Sequence, residues 1–170
     1  MEKIAWLVLG IVTLVSAIVA QRRPAALPVG RLALGVFYVF AGAVVHAIYL
    51  ATGASYATFA DAAHVAFVRT AWHSIVAPHQ TIFIGLLILF EAVVGVLVLM
   101  GGRAAQLGMA GILGMQACLL LFGWILTVFG AVMLVAVGLL LRAQLRHDRG
   151  RTAGPGGLRQ RNDARGASAV

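Results

Sequence analysis

An uninterrupted apolar stretch from His79 to Met100, HQTIFIGLLILFEAVVGVLVLM, carries one acidic residue, Glu91, near its middle. Wound as a helix it is about 33 Å long, enough for the roughly 30 Å hydrocarbon core of a bilayer. A carboxyl group at that depth is costly, so it must face protein, a polar partner or water and not lipid. The rest of the chain can be asked what flanks this helix and what reaches Glu91.

The surroundings are equally apolar. Of 170 residues, 62% are hydrophobic and 11% charged, and the mean hydropathy is +0.99, far from the balance of a water-soluble domain. The formal charge of +8 does not mark a nucleic-acid groove, because seven of the 13 basic residues fall between Arg142 and Arg165, after the last apolar run. One cysteine, Cys118, excludes an intramolecular disulfide and a thiolate cluster. The expected partner is the lipid bilayer, with a membrane protein or further copies of the chain beside it, and no nucleic acid.

Five spans are expected, at residues 4–20, 32–51, 79–100, 104–121 and 125–141. The first run competes with a cleaved signal peptide, but its leading region holds only Glu2 and Lys3, and it ends in Gln21-Arg22-Arg23, the positive side of an anchor. A polar linker, Gln21 to Arg31, leads to the second span. Residues 56–76 read as an outer amphipathic helix, with Tyr56, Ala60, Ala63, Phe67 and Ala71 on one side and Asp61, Arg69 and His73 on the other. Pro78 should end it. The 38 residues from Ala104 to Leu141 would make a single helix of about 57 Å, so two spans with a turn at Phe122-Gly123-Trp124 fit better. The tail, 142–170, has no apolar periodicity and reads as a basic, disordered cytoplasmic segment.

Parity supports this count. With five spans, the arginines before span two, after span three and in the tail share the cytoplasmic side, and the N-terminus is outside. Trp6, Trp72, Trp124, Tyr49 and Tyr56 then fall at the outer interface as an aromatic belt. On span four, Ala104, Gly108, Gly111, Gly114 and Cys118 recur every three or four residues, a small-residue face for close helix packing.

The segments RLALGVFYVFAG, Arg31 to Gly42, and FEAVVGVLVLMGGRAAQLG, Phe90 to Gly108, resemble the DoxX-like family of small integral membrane proteins. The second carries Glu91, Gly95, Leu97, Leu99 and Gly101, with Arg103 after it, in the family's register. The resemblance covers about residues 31–142 and implies a four-helix core with both ends cytoplasmic, here preceded by one more helix. Where relatives commonly carry a lysine or similar polar residue, this chain has His46 and Tyr49. The family also implies a bacterial-type inner (plasma) membrane and, through some relatives, quinone or thiosulfate oxidation.

The candidate buried polar site is Glu91, Tyr38, Gln116 and His46. By rise along each helix, Glu91 lies about 14 Å from the inner end of its span, Tyr38 about 10 Å, Gln116 about 18 Å and His46 about 22 Å. Tyr38 and Gln116 are therefore the expected partners of a neutral Glu91 carboxylic acid. His64, His73 and His79 invite a metal, but spacings of nine and six match no ligand motif. Haem would need a second histidine at the depth of His46. No phosphate loop or nucleophile elbow is present. The chain reads as an all-α polytopic bundle acting as a non-catalytic scaffold or accessory subunit of a membrane assembly. The alternative is a quinone-linked oxidoreductase component, or a protein binding a lipophilic ligand through Glu91; no cofactor other than a quinone is implied.

Overall fold

The computed structural model describes residues 2–152. Among them are five helices and no strand: α1 (Glu2–Ala20), α2 (Pro24–Ala51), α3 (Ala66–Met100), α4 (Gly102–Leu119) and α5 (Trp124–Thr152). Each packs on the next, and α5 returns to α1, so the bundle closes into a ring. The N-terminal helix is thus a stave of the ring and not an appendage to it.

Burial is inverted relative to a protein dissolved in water. Thr13, Ser16, Glu91, Gln116 and Gln144 are buried, while Phe40, Leu107 and Ile125 face outward, Ile125 with 86% of its surface exposed. Outward apolar side chains on this scale need an apolar solvent. Helices α2, α3 and α5 are each long and apolar enough to cross a bilayer; the apolar part of α1, Trp6–Ala20, is shorter. The protein is a helical membrane protein.

Between lipid-facing helices, close packing replaces the hydrophobic drive to associate. One close seam joins α2 and α3 at Gly35 and Gly95. A Cβ on Gly35 would stand 3.0 Å from the Gly95 carbonyl oxygen, and one on Gly95 would stand 3.1 Å from that of Gly35. At the end of this seam Arg31 donates from Nε to the Val98 carbonyl and from a terminal nitrogen to that of Leu99, both at 3.3 Å. These carbonyls belong to the last turn of α3, which has no helical partners of its own. Gly101 then reverses the chain at φ 83°, and its missing Cβ leaves room for the Arg31 guanidinium, 2.8 Å from where that carbon would be.

Helix α4 sits on α3 by the same device. A Cβ on Gly108 would lie 2.8 Å from the Val94 carbonyl oxygen, and one on Gly111 would lie 3.1 Å from the Val94 side chain. Gly114, expected on the same face, has nothing within 4 Å. Each step of three falls about 60° short of a full turn on a helix of about 3.6 residues per turn, so the third glycine has rotated out of the contact. The buried face is instead Ala105, Gly108, Met109, Ile112 and Gln116.

Several boundaries differ from expectation. Helix α2 begins in the supposed linker, with a 3₁₀ turn at Pro24–Ala26, because its proline occupies a first-turn position where no N–H is needed. The segment 56–65 is not helical. Tyr56, Ala60 and Ala63 do point inward, but through successive three-residue turns. The Ala63 carbonyl is taken by Arg69, the His64 amide by the Leu121 carbonyl, and Val65 is extended, so helix begins only at Ala66. Phe67, expected on the same side as Tyr56, Ala60 and Ala63, is exposed. Pro78 does not end the helix; it sits in a 3₁₀ turn, Ala77–His79, through which α3 continues. The turn before α5 occupies 120–123, leaving Trp124 as the first residue of α5. Helix α5 runs on to Thr152, where disorder was expected from Arg142. Gln144 donates to Asp148 one turn on, and Gln106 of α4 donates to the same carboxylate at 2.7 Å. Residues 153–170, the rest of the expected tail, lie outside the described residues.

Gly108→Ala should cost about 1–3 kcal/mol, because the added carbon meets backbone and not a yielding side chain. Gly114→Ala should be neutral or slightly stabilising through better helix propensity. Thermal unfolding in detergent, followed by circular dichroism, separates the two; equal losses would contradict the seam.

Candidate functional site

The ring is incompletely filled at the end where α1 begins and the 52–65 connection crosses. A cavity of about 220 Å³ lies there, walled by Trp6, Phe37, Phe59, Trp72, Phe122 and Phe129. The Phe37 ring stacks on Phe129 with centroids 6.0 Å apart, and Trp6 tilts against both. Helix α2 supplies a second wall through its π-helical turns, Phe37–Val44. These keep Phe37, Tyr38, Ala41 and Gly42 turned inward together, a wide turn of the kind often found at functional sites.

All four expected polar residues line this one cavity: Tyr38, His46, Glu91 and Gln116. Their pairing is not the expected one. Gln116 Nε2 donates to the Tyr38 hydroxyl at 2.8 Å, so the two intended partners of Glu91 are bonded to each other. Glu91 Oε1 instead lies 3.8 Å from His46 Nε2.

Side-chain direction accounts for the difference. A helix tilts its Cα–Cβ bonds toward its own N-terminus. Helices α2 and α3 are antiparallel, so His46 leans toward the arginine-rich end while Glu91 leans away from it, and the two converge. Tyr38 leans away from Glu91. Rise along the axes alone therefore misjudges both distances. Gly42 leaves the space that the carboxyl enters, for a Cβ there would be 2.9 Å from it.

The cavity also takes in Tyr56, Trp6 and Trp72, expected in an interfacial belt. Tyr56 extends its hydroxyl to His46 Nδ1 at 3.0 Å. Its own backbone is clamped: the amide donates to Gln80 Oε1 at 3.1 Å, and the carbonyl accepts from Trp72 Nε1 at 2.8 Å. Burial, and secondarily the nearby Glu91, push the Tyr56 phenol above its ordinary value, so it remains an O–H donor at neutral pH. Trp6 enters from α1. The signal for it was available, since it lies seven residues before Thr13 on the stripe that continues through buried Ala17 and Ala20.

Three polar atoms around the cavity are buried without a protein partner: Glu91 Oε2, Gln116 Oε1 and Trp6 Nε1. Such atoms are uncommon in native interiors, and each requires an explanation. They are one indole donor, one amide acceptor and one carboxyl oxygen, all on residues that line the cavity.

The other histidines are dispersed. His64 Nε2 lies 3.2 Å from the Thr127 hydroxyl, His73 pairs with Asp61 at 2.9 Å, and His79 Nδ1 donates to the Ile75 carbonyl at 3.1 Å. Among the described residues, no group of three potential ligands is placed to hold a metal ion. In comparisons with protein-family models, curated proteins and solved structures, nothing matches this chain.

Trp72→Phe keeps a ring against Phe59 and Phe122 but removes the bond to the Tyr56 carbonyl, a loss of about 1 kcal/mol. Faster amide exchange across residues 56–63, measured by mass spectrometry, is the expected result. Unchanged exchange would show that the clamp does not hold the segment.

Proposed function

We propose that this chain is a five-span membrane protein of DoxX-like type that binds a small lipophilic ligand in the aromatic cavity. Arg22, Arg23, Arg31 and Arg103 gather at one end of the bundle, which supports a cytoplasmic side there, an outside N-terminus and, with the family resemblance, a bacterial-type inner membrane. The family reading draws support from its own signature residues, because Arg31, Gly35, Gly95 and Gly101 meet across the α2–α3 seam.

The carrying observation is the cavity of about 220 Å³ lined by Trp6, Glu91 and Gln116, each of which carries a buried polar atom without a protein partner. The cavity's size suits one or two fused rings, since a cavity of about 150 Å³ accepts benzene. A ligand there would stack on the aromatic walls, and a turn of the Trp6, Glu91 or Gln116 side chain would bring its unpartnered polar atom to it. A quinone ring belongs to this class: one carbonyl oxygen would accept from Trp6, the other from a protonated Glu91. The scaffold reading rests on small-residue helix faces and an outer amphipathic helix, without a catalytic motif. Gly108 and Gly111 are already used within the bundle, so ligand binding comes first.

Trp6 and Trp72 line the site, so their fluorescence reports occupancy. Titration of the detergent-solubilised protein with duroquinone, a quinone without a tail, and with 1-naphthol should give saturable quenching with at least one of them. Glu91→Leu, which leaves no donor in its place, should weaken it by about tenfold, as for one hydrogen bond, and Met115→Trp, which fills the space, should abolish it. Non-saturable quenching by both probes, or identical titrations in all three proteins, would refute ligand binding.

A further inference from the structure

His46 and Tyr56 each border two spaces. They line the internal cavity with Glu91, and they also line a separate cleft shared with Tyr49, Ser55 and Thr58. On the inner side Glu91 is 5% exposed. From there the distances are 3.8 Å, from Glu91 Oε1 to His46 Nε2, and 3.0 Å, from His46 Nδ1 to the Tyr56 hydroxyl. The two nitrogens of one imidazole therefore face a buried acid on one side and the hydroxyl of a cleft-lining tyrosine on the other.

We propose that His46 and Tyr56 form a proton relay between the Glu91 carboxyl and this cleft. With the ring protonated at Nδ1, Glu91 gives its carboxyl proton to Nε2. The Nδ1 proton passes to the Tyr56 oxygen, and the Tyr56 hydroxyl proton passes to water in the cleft. Glu91 ends as a carboxylate, the water as hydronium, and the imidazole as its other neutral tautomer, while Tyr56 regains the proton it gave. The return path is the same sequence reversed. The 3.8 Å separation reaches hydrogen-bond length with a side-chain displacement of about 1 Å, an ordinary thermal amplitude.

Among the described residues, no other exit is built around the acid. The remaining titratable group lining the cavity is Tyr38, 1% exposed, whose oxygen accepts from Gln116. From α4 the only polar side chain is that amide, and α1 and α5 contribute Trp6, Leu126 and Phe129. Tyr56, by contrast, is held at both backbone groups by Gln80 and Trp72, which fixes its hydroxyl over His46. This relay goes beyond ligand binding and requires no ligand, because it gives a buried acid proton exchange with the surface whatever fills the cavity.

The test is hydrogen–deuterium exchange of the acid itself. The full chain in phospholipid vesicle films is moved from H₂O to D₂O under attenuated-total-reflection infrared spectroscopy, and the carboxylic C=O band absent from Glu91→Gln is followed. Tyr56→Phe and His46→Gln should slow its isotope shift by roughly a hundredfold, the lower range for a positioned proton-transfer group, and Tyr38→Phe should leave it unchanged. Tyr56→Phe keeps the ring and carries the test if His46→Gln fails to fold, as judged by circular dichroism and gel filtration. Equal rates in wild type and Tyr56→Phe, equal slowing by Tyr38→Phe, or no protonated band attributable to Glu91 across the neutral pH range would each overturn the relay.

Discussion

The approach of α2 to α3 at Gly35 and Gly95 is the contact on which the remaining structure depends. The carbonyl oxygen of each glycine lies 3.0 or 3.1 Å from where a Cβ on the other would stand, and in lipid such close packing is a main source of helix–helix affinity. Once the helices meet there, Arg31 reaches the last carbonyls of α3, and Gly101 turns the chain directly into α4. The same register brings Gly42 against Glu91. A structural contact near one end of the bundle thus decides where the single intramembrane acid of α3 points.

The ring explains why this acid is tolerated. Five helices packed in sequence order, closed by α1 against α5, surround an interior that is filled at the arginine-rich end and open at the other. There the aromatic side chains of α1, α2 and α5 and the turns covering 52–65 enclose space without filling it. Glu91 faces this enclosure and not lipid, which satisfies the constraint that depth imposes. The orphaned oxygens are the part of the arrangement that packing alone does not explain.

Much of this was legible in the sequence. Hydropathy separated the helices, and the excess length of residues 104–141 required the break that occurs at 120–123. The four polar residues chosen for the site do border one cavity. Their pairing was not legible, because rise along a helix fixes the depth of a Cα and not the reach of a side chain leaning toward its N-terminus. Tyr56 and Trp72 were hidden for another reason: they are joined by a backbone–indole hydrogen bond through an irregular segment, which has no periodicity to read. Gly114 shows the opposite error, a regular spacing that rotates away from the contact it seemed to mark.

The central claim is that Glu91 faces an occupiable cavity and is not the hydrogen-bonding clasp between packed helices that its sequence context first implied. A lipid-embedded structure at side-chain resolution tests it most directly. The account predicts Tyr38 bonded to Gln116, the Glu91 carboxyl turned toward His46, and density of ring size between Glu91, Gln116 and Trp6. A collapsed interior with Glu91 bonded to Tyr38 or Gln116 would contradict it.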